Sequence, residues 1–325
     1  MVRNGLLALA LIVAAACGKD AKKEAGGGAG GASASNEDLS YLPLASQLVA
    51  GIDVAQLQGS SLWKELVQPL ILKDAQAKIA DFQQKCGFDP MTAIKSVSVG
   101  LKNADGRNPE GIVVIHGLDK AKAMACLDKQ KDEFAKEQVT VTVEGDVVLF
   151  KQEGAVPVGA TFVKDSTAIV VIGPDATAAG VKQAAAGGSK LAESAKFSAL
   201  HGKIGGGKSI WFVVNGSTPA LAKGLGQLNI TAEAAFGSIH VTDKLAVDAR
   251  LRLPTPAEAA STATKIKEGI GETAAGFVEK IEFTSDGPDM KVTSTVNKDN
   301  LKTLQGLFGV GRRRGGTPPP EDGAP

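Results

Sequence analysis

The chain has 325 residues, with 36 Lys or Arg against 35 Asp or Glu and a formal charge of +1. That balance leaves no electrostatic footprint for nucleic acid, and 4% aromatics, with one Tyr and two Trp, leave little for base-stacking platforms or a sugar-stacking strip. Apolar residues at 43% and charged residues at 22% are those of a globular body, long enough for one large or two small domains.

The chain opens MVRNGLLALALIVAAAC. Arg3 gives a positive start, Gly5 to Ala16 an apolar run, and Ala14-Ala15-Ala16 a small-residue cleavage site, the order found in secretory signals. Cys17, directly after that site, resembles the lipobox cysteine of bacterial lipoproteins, with Ala14 where that class more often has Leu. The resemblance covers residues 1–20. It implies that the Cys17 thiol is joined to diacylglycerol, that residues 1–16 are removed, and that the new amino terminus is acylated. The expected partner is then a membrane, reached through lipidated Cys17. Each buried acyl CH₂ contributes about 0.8 kcal/mol, and two or three chains hold firmly. Gly18 stands where an Asp marks inner-membrane retention in some bacteria, which favours the outer membrane within the cell envelope. Two alternatives remain: an ordinary secretory signal with an incidental cysteine, and a transmembrane anchor, for which the run falls short of ~20 apolar residues.

With residues 1–16 and Arg3 removed, 35 basic and 35 acidic residues remain. Cys86 and Cys126 are the other cysteines. An exported chain meets an oxidising compartment, where two cysteines often pair. Closing a loop of about 40 residues stabilises by about 3–4 kcal/mol through chain entropy. The alternative is two buried free thiols behaving as small hydrophobes.

In chain order, residues 17–39 are rich in Gly, Ala, Ser and charge, and read as a lipidated cysteine on a flexible tether. Residues 47–54 read as a strand. Residues 62–85 read as a helix on the stripe Leu62, Leu66, Leu70, interrupted at Pro69 and stopped at Gly87. Strands at 96–102 and 111–115 flank the turn residues 103–109. A helix follows over 119–136, then a hairpin about Glu144-Gly145-Asp146 and another about Lys164-Asp165-Ser166. Helices are expected from Pro174 to Ala186 and over 190–201, a buried strand at 209–214, and a short helix after Thr218-Pro219. A hairpin about Asp243-Lys244 leads to the capping box Thr255-Pro256-Ala257-Glu258 and a helix to about Ala275. A last hairpin turns at residues 285–288, a helix follows over 298–308, and residues 309–325 read as a disordered tail.

The succession strand, helix, hairpin, helix, hairpin occurs over 47–150 and again over 209–296. Hairpins joined by helices predict an α+β class: mostly antiparallel sheet with helices on one face, in two related lobes. The lobes are read as 40–152 and 209–308, joined by a hairpin and helical connection over 153–208.

Three patterns bear on chemistry. Gly202 to Ser209 fits G-x-x-x-x-G-K-[ST], but a helix precedes it and a strand follows, the reverse of a phosphate-binding loop. Ser61-Leu-Trp-Lys64 fits S-x-x-K without the K-T-G element that its enzymes need, and reads as a helix start. His116, His201 and His240 lie far apart with no H-E-x-x-H. No catalytic residue, metal ligand or cofactor is therefore assigned. The reading is a membrane-anchored envelope lipoprotein with a non-enzymatic binding or structural role, its protein or envelope partner unknown. A periplasmic carrier or chaperone for an apolar ligand and an unrecognised hydrolase are the alternatives.

Overall fold

The computed structural model describes residues 36–104, 108–188, 191–275 and 278–301. The expected signal, Cys17, most of the expected tether, most of the helix expected over 298–308 and the expected tail lie outside these.

The first strand, β1 (Leu48–Asp53), stands near the middle of a twelve-stranded sheet. It pairs antiparallel with β2 (Ser96–Lys102) on one side and with β8 (Ile210–Asn215) on the other. From β2 the sheet continues through β3 (Glu110–His116), β7 (Thr167–Ile172), β6 (Val158–Lys164), β5 (Val147–Lys151) and β4 (Thr140–Glu144). From β8 it continues through β9 (Ala234–Val241), β10 (Leu245–Arg252), β12 (Asp289–Val296) and β11 (Lys280–Asp286). Every pairing is antiparallel, so the class is the α+β one expected.

The repeat sits in this order. In each half three strands are laid side by side (β1-β2-β3 and β8-β9-β10), a helical connection follows, and the chain returns so that its last strand pairs with the third. The returning strand is β7 in the first half and β12 in the second. The hairpin β6–β7, expected within a 153–208 connection between lobes, is thus built into the first half of the sheet. Its cause is the β3–β7 register, from Gly111↔Ile172 to His116↔Thr167, which joins two strands apolar on both faces. The halves meet at β1 and β8, whose register centres on Ala50↔Phe212, so one sheet runs through both.

Side chains alternate across a strand, and β7 shows what that means here: all six of its residues are buried. Ile169 and Val171 join Val49, Val114, Val147, Leu149, Trp211, Val213 and Phe236 on one face. Over them lie Leu39 and Leu42 from the region of α1 (Asn36–Tyr41), Val181 of α7 (Ala178–Ala185), and Phe197 and Leu200 of α8 (Ala195–His201). Val170 and Ile172 join Val113 and Ile115 on the opposite face, with Val54 of α2 (Val54–Gly59) and Ile94. The helices, expected on one face, are therefore shared between two. A continuous apolar strand such as β7 has no solvent side and needs cover on both.

The Pro69 interruption takes a definite form. Trp63–Val67 is a π-helical turn, and Gln68 donates its N–H to the Trp63 carbonyl five residues back. The ring of Pro69 cannot donate and crowds the carbonyl four residues before it. The wider turn passes this obstacle, and α3 (Gln68–Cys86) then runs to Gly87, whose φ is 75°. The S-x-x-K stretch is this helix start, and Ser60 rather than Ser61 caps it, accepting the Trp63 N–H at 3.1 Å. At the far end, Cys86 is disulfide-bonded to Cys126 of α5 (Lys120–Lys129), with Cα atoms 4.6 Å apart.

The tether ends earlier than expected. Residues 36–39 belong to α1, and both Asp38 and Leu39 are buried. Leu39 and Leu42 stand one turn apart and enter the core together. Fully burying one such side chain contributes about 1.5–3 kcal/mol.

Candidate functional site

Pairing across the second half sets side chains in rows perpendicular to the strands. On the face that carries Phe236, one row runs His240, Ala246, Thr295, Lys280 through β9, β10, β12 and β11. The next runs Ser238, Asp248, Thr293, Glu282, and a third Phe236, Arg250, Lys291, Thr284. The other face of these strands is covered by α10 (Pro256–Ala275), whose Ala259 and Ala263 pack on Leu251, Leu253, Met290 and Val292.

The first two rows make a trough of about 280 Å³. Short side chains (Ala246, Thr295, Ser238 and Thr293) form its floor, and His240, Lys208, Lys280 and Glu282 form its ends. Neighbouring strands lie about 4.8 Å apart, so the three steps from β9 to β11 give a span of about 14 Å.

The carboxylates here are already compensated. Asp248 accepts a forked pair of hydrogen bonds from Arg250 at 3.0 and 3.2 Å, and Lys291 stands 3.2 Å away. Burial acts to raise the Asp248 pKa, but these cations more than offset it and the pKa is lowered. Arg250 also lies over the Phe236 ring at 5.9 Å. Glu282 is bridged by Lys280 at 2.9 Å, and the Lys280 hydrogen bond lowers its pKa. Lys208 makes no ion pair with a described residue, and the Nδ1 of His240 is buried without a hydrogen-bond partner among them.

Lys208 comes from the glycine-rich stretch 202–209. Its context is the one read from sequence: α8 before it and β8 after it. The Ser209 hydroxyl is fully buried and accepts the Val241 N–H at 2.9 Å, which fixes the loop to β9. Lys203 leaves the loop the other way and reaches the buried Asp289 at 2.5 Å, which Arg252 also grips. The stretch is a clasp between β8 and the last hairpin, and it presents Lys208 to the trough.

A second polar cluster lies on the same face of the first half. Asp38 accepts from the Ser98 hydroxyl at 2.6 Å and meets His116 Nε2 at 2.8 Å, while His116 Nδ1 is 3.1 Å from the Thr167 hydroxyl. The order carboxylate, imidazole, hydroxyl is that of a hydrolase relay. Thr167, however, is only 5% exposed. The cluster fastens α1 to β2, β3 and β7, and Glu37 adds an ion pair to Lys164 at 2.5 Å. His201 is packed between Phe197 and Trp211, and burial lowers its pKa. The three histidines thus have three different surroundings.

Of the residues expected to matter, Cys86 and Cys126 are brought together, and Cys17 lies outside the described residues. Among the described residues no cluster of three His, Cys, Asp or Glu is placed to hold a metal ion, and no helix is long and apolar enough to cross a membrane. Sequence reading missed the trough. The signal in reach was the polar alternation of 280–296, which also describes an ordinary solvent face. No family model, no curated protein and no solved structure matches the chain.

Proposed function

We propose that the protein is a membrane-anchored lipoprotein of the cell envelope whose body acts by binding rather than by catalysis. The observation that carries this reading is the Cys86–Cys126 disulfide. A cross-link between two helices of the folded body belongs to an oxidising compartment, which is where a cleavable signal ending in a lipobox cysteine delivers a chain. Removal of residues 1–16 leaves Cys17 nineteen positions before α1. A Gly- and Ser-rich segment of that length reaches roughly 25 Å, enough to hold the body clear of lipid head groups. The outer membrane is favoured over the inner, since Gly18 lacks the retention charge. The binding role is supported by the trough, whose carboxylates are compensated while Lys208 is left available.

Fractionation of cells expressing the wild type and Cys17→Ser tests this. The wild type is expected in the membrane pellet and extracted by detergent, and the variant in the soluble envelope fraction. Unchanged membrane retention of Cys17→Ser would refute the lipid anchor.

A further inference from the structure

The trough on β9–β12 is floored by side chains too short to fill it, and its lining is part apolar and part polar. Its volume of about 280 Å³ is below the usual range for drug-sized ligands. It suits a solute of one sugar ring. Thr293 and Thr295 of β12 bring hydroxyls to it, Thr293 donating to Glu282 at 3.4 Å, and a hydroxyl both donates and accepts. No Phe, Tyr or Trp lines it, so recognition there rests on hydrogen bonds and charge rather than on stacking against a large ring.

The charge is one-sided. Asp248 is held by Arg250 and Lys291, and Glu282 by Lys280. What the trough offers a guest is the Lys208 ammonium at the β9 end. A cationic guest meets no free carboxylate, and an anionic one meets an ammonium whose pairing costs it no existing salt bridge.

We propose that this trough binds a monosaccharide-sized, hydroxylated anion, with its carboxylate or phosphate against Lys208 and its hydroxyls on Thr293 and Thr295. The proposal deepens the binding reading above and does not depend on the anchor. It is tested on the folded protein in solution, so its failure leaves the fractionation result standing.

The experiment is calorimetric titration of the purified mature chain carrying Cys17→Ser, with glucuronate, glucose 6-phosphate, glucose and inorganic phosphate as probes. Saturable binding of glucuronate or glucose 6-phosphate at millimolar affinity or tighter is expected, with glucose and inorganic phosphate at least tenfold weaker. Which of the two anions binds better separates a carboxylate site from a phosphate site. Lys208→Ala should weaken the preferred anion about tenfold or more, the loss of one charge-assisted hydrogen bond, and Lys208→Arg should restore it. Ala246→Leu, on an exposed position of β10, fills the floor without altering charge and should abolish binding. Tryptophan fluorescence matching the parent chain shows that each variant is folded. Equal binding of glucose, equal binding of inorganic phosphate, no saturable binding of any probe, or an unaltered affinity in Lys208→Ala would each overturn the proposal.

Discussion

Asp38 and His116 are 78 positions apart in the chain, and their side chains meet at 2.8 Å. Asp38 comes from the first described helix and is almost wholly buried. The pair, with Ser98 and Thr167, pins the first described segment onto the sheet.

The pair makes stability depend on pH. The hydrogen bond to Asp38 raises the His116 pKa above 6.5, against the opposing effect of burial. A raised histidine pKa stabilises fully below its unfolded value and is lost as pH rises through the folded one. Urea unfolding at pH 5.5 should place His116→Gln about 1.5–3 kcal/mol below the wild type. At pH 9 the gap should narrow. A gap that widens with pH would show that the pair is not charged in the native state.

Asp289 begins β12 with its side chain fully buried between Arg252 and Lys203. Burial pushes its pKa up, and hydrogen bonds from the two cations more than reverse this, leaving it lowered. Its contribution is thus present above about pH 4 and lost as pH falls through the depressed native value. Arg252→Met removes one partner of a buried charge, and a loss of about 3–5 kcal/mol is expected at pH 7. The same substitution should cost less at pH 3, a comparison that guanidinium denaturation followed by circular dichroism can make.

The disulfide closes a loop of 40 residues and ties α3 to α5. Double replacement by Ser at positions 86 and 126 should lower stability by about 3–4 kcal/mol through the freed entropy of the unfolded chain. Thermal melts of the wild type with and without reductant should differ in the same direction, and the double variant should not respond to reductant.

Gly51 faces Trp211 across the β1–β8 seam, and a Cβ at position 51 would lie 2.1 Å from the indole nitrogen. Trp211 is 1% exposed, so it has nowhere to move without disturbing Phe197, His201 and Phe236 around it. Gly51→Ala is expected to cost at least 1–3 kcal/mol, as overpacking does. A red shift of the tryptophan emission would report the opening of the seam. Gly59→Ala, at a position with open space, is the control that should leave both unchanged.

Local chemistry made much of this legible. The hairpins announced themselves through turn residues, and Thr255 caps α10 by accepting the Glu258 N–H at 3.2 Å, as the capping box implied. Pro69 marked its interruption. What stayed hidden depends on distant partners. Asn36 to Leu39 reads by composition as the end of a tether, and the partners that hold it, Ser98 and His116 on Asp38, lie 60 and 78 positions away. The pairing of β7 with β3 joins residues 51 to 61 positions apart, from His116↔Thr167 to Gly111↔Ile172, so nothing local separated it from a β5–β3 pairing. The trough takes one side chain from the 202–209 loop and the rest from four strands, each of which alone reads as a polar surface.

Mass spectrometry of the amino-terminal peptide from the membrane-extracted protein is the most direct test of the proposed export, cleavage before Cys17 and lipidation there. The expected peptide begins at Cys17, with its mass raised by a diacylglyceryl group and an amide-linked acyl chain. A peptide beginning at Met1, or one beginning at Cys17 with an unmodified thiol, would contradict it.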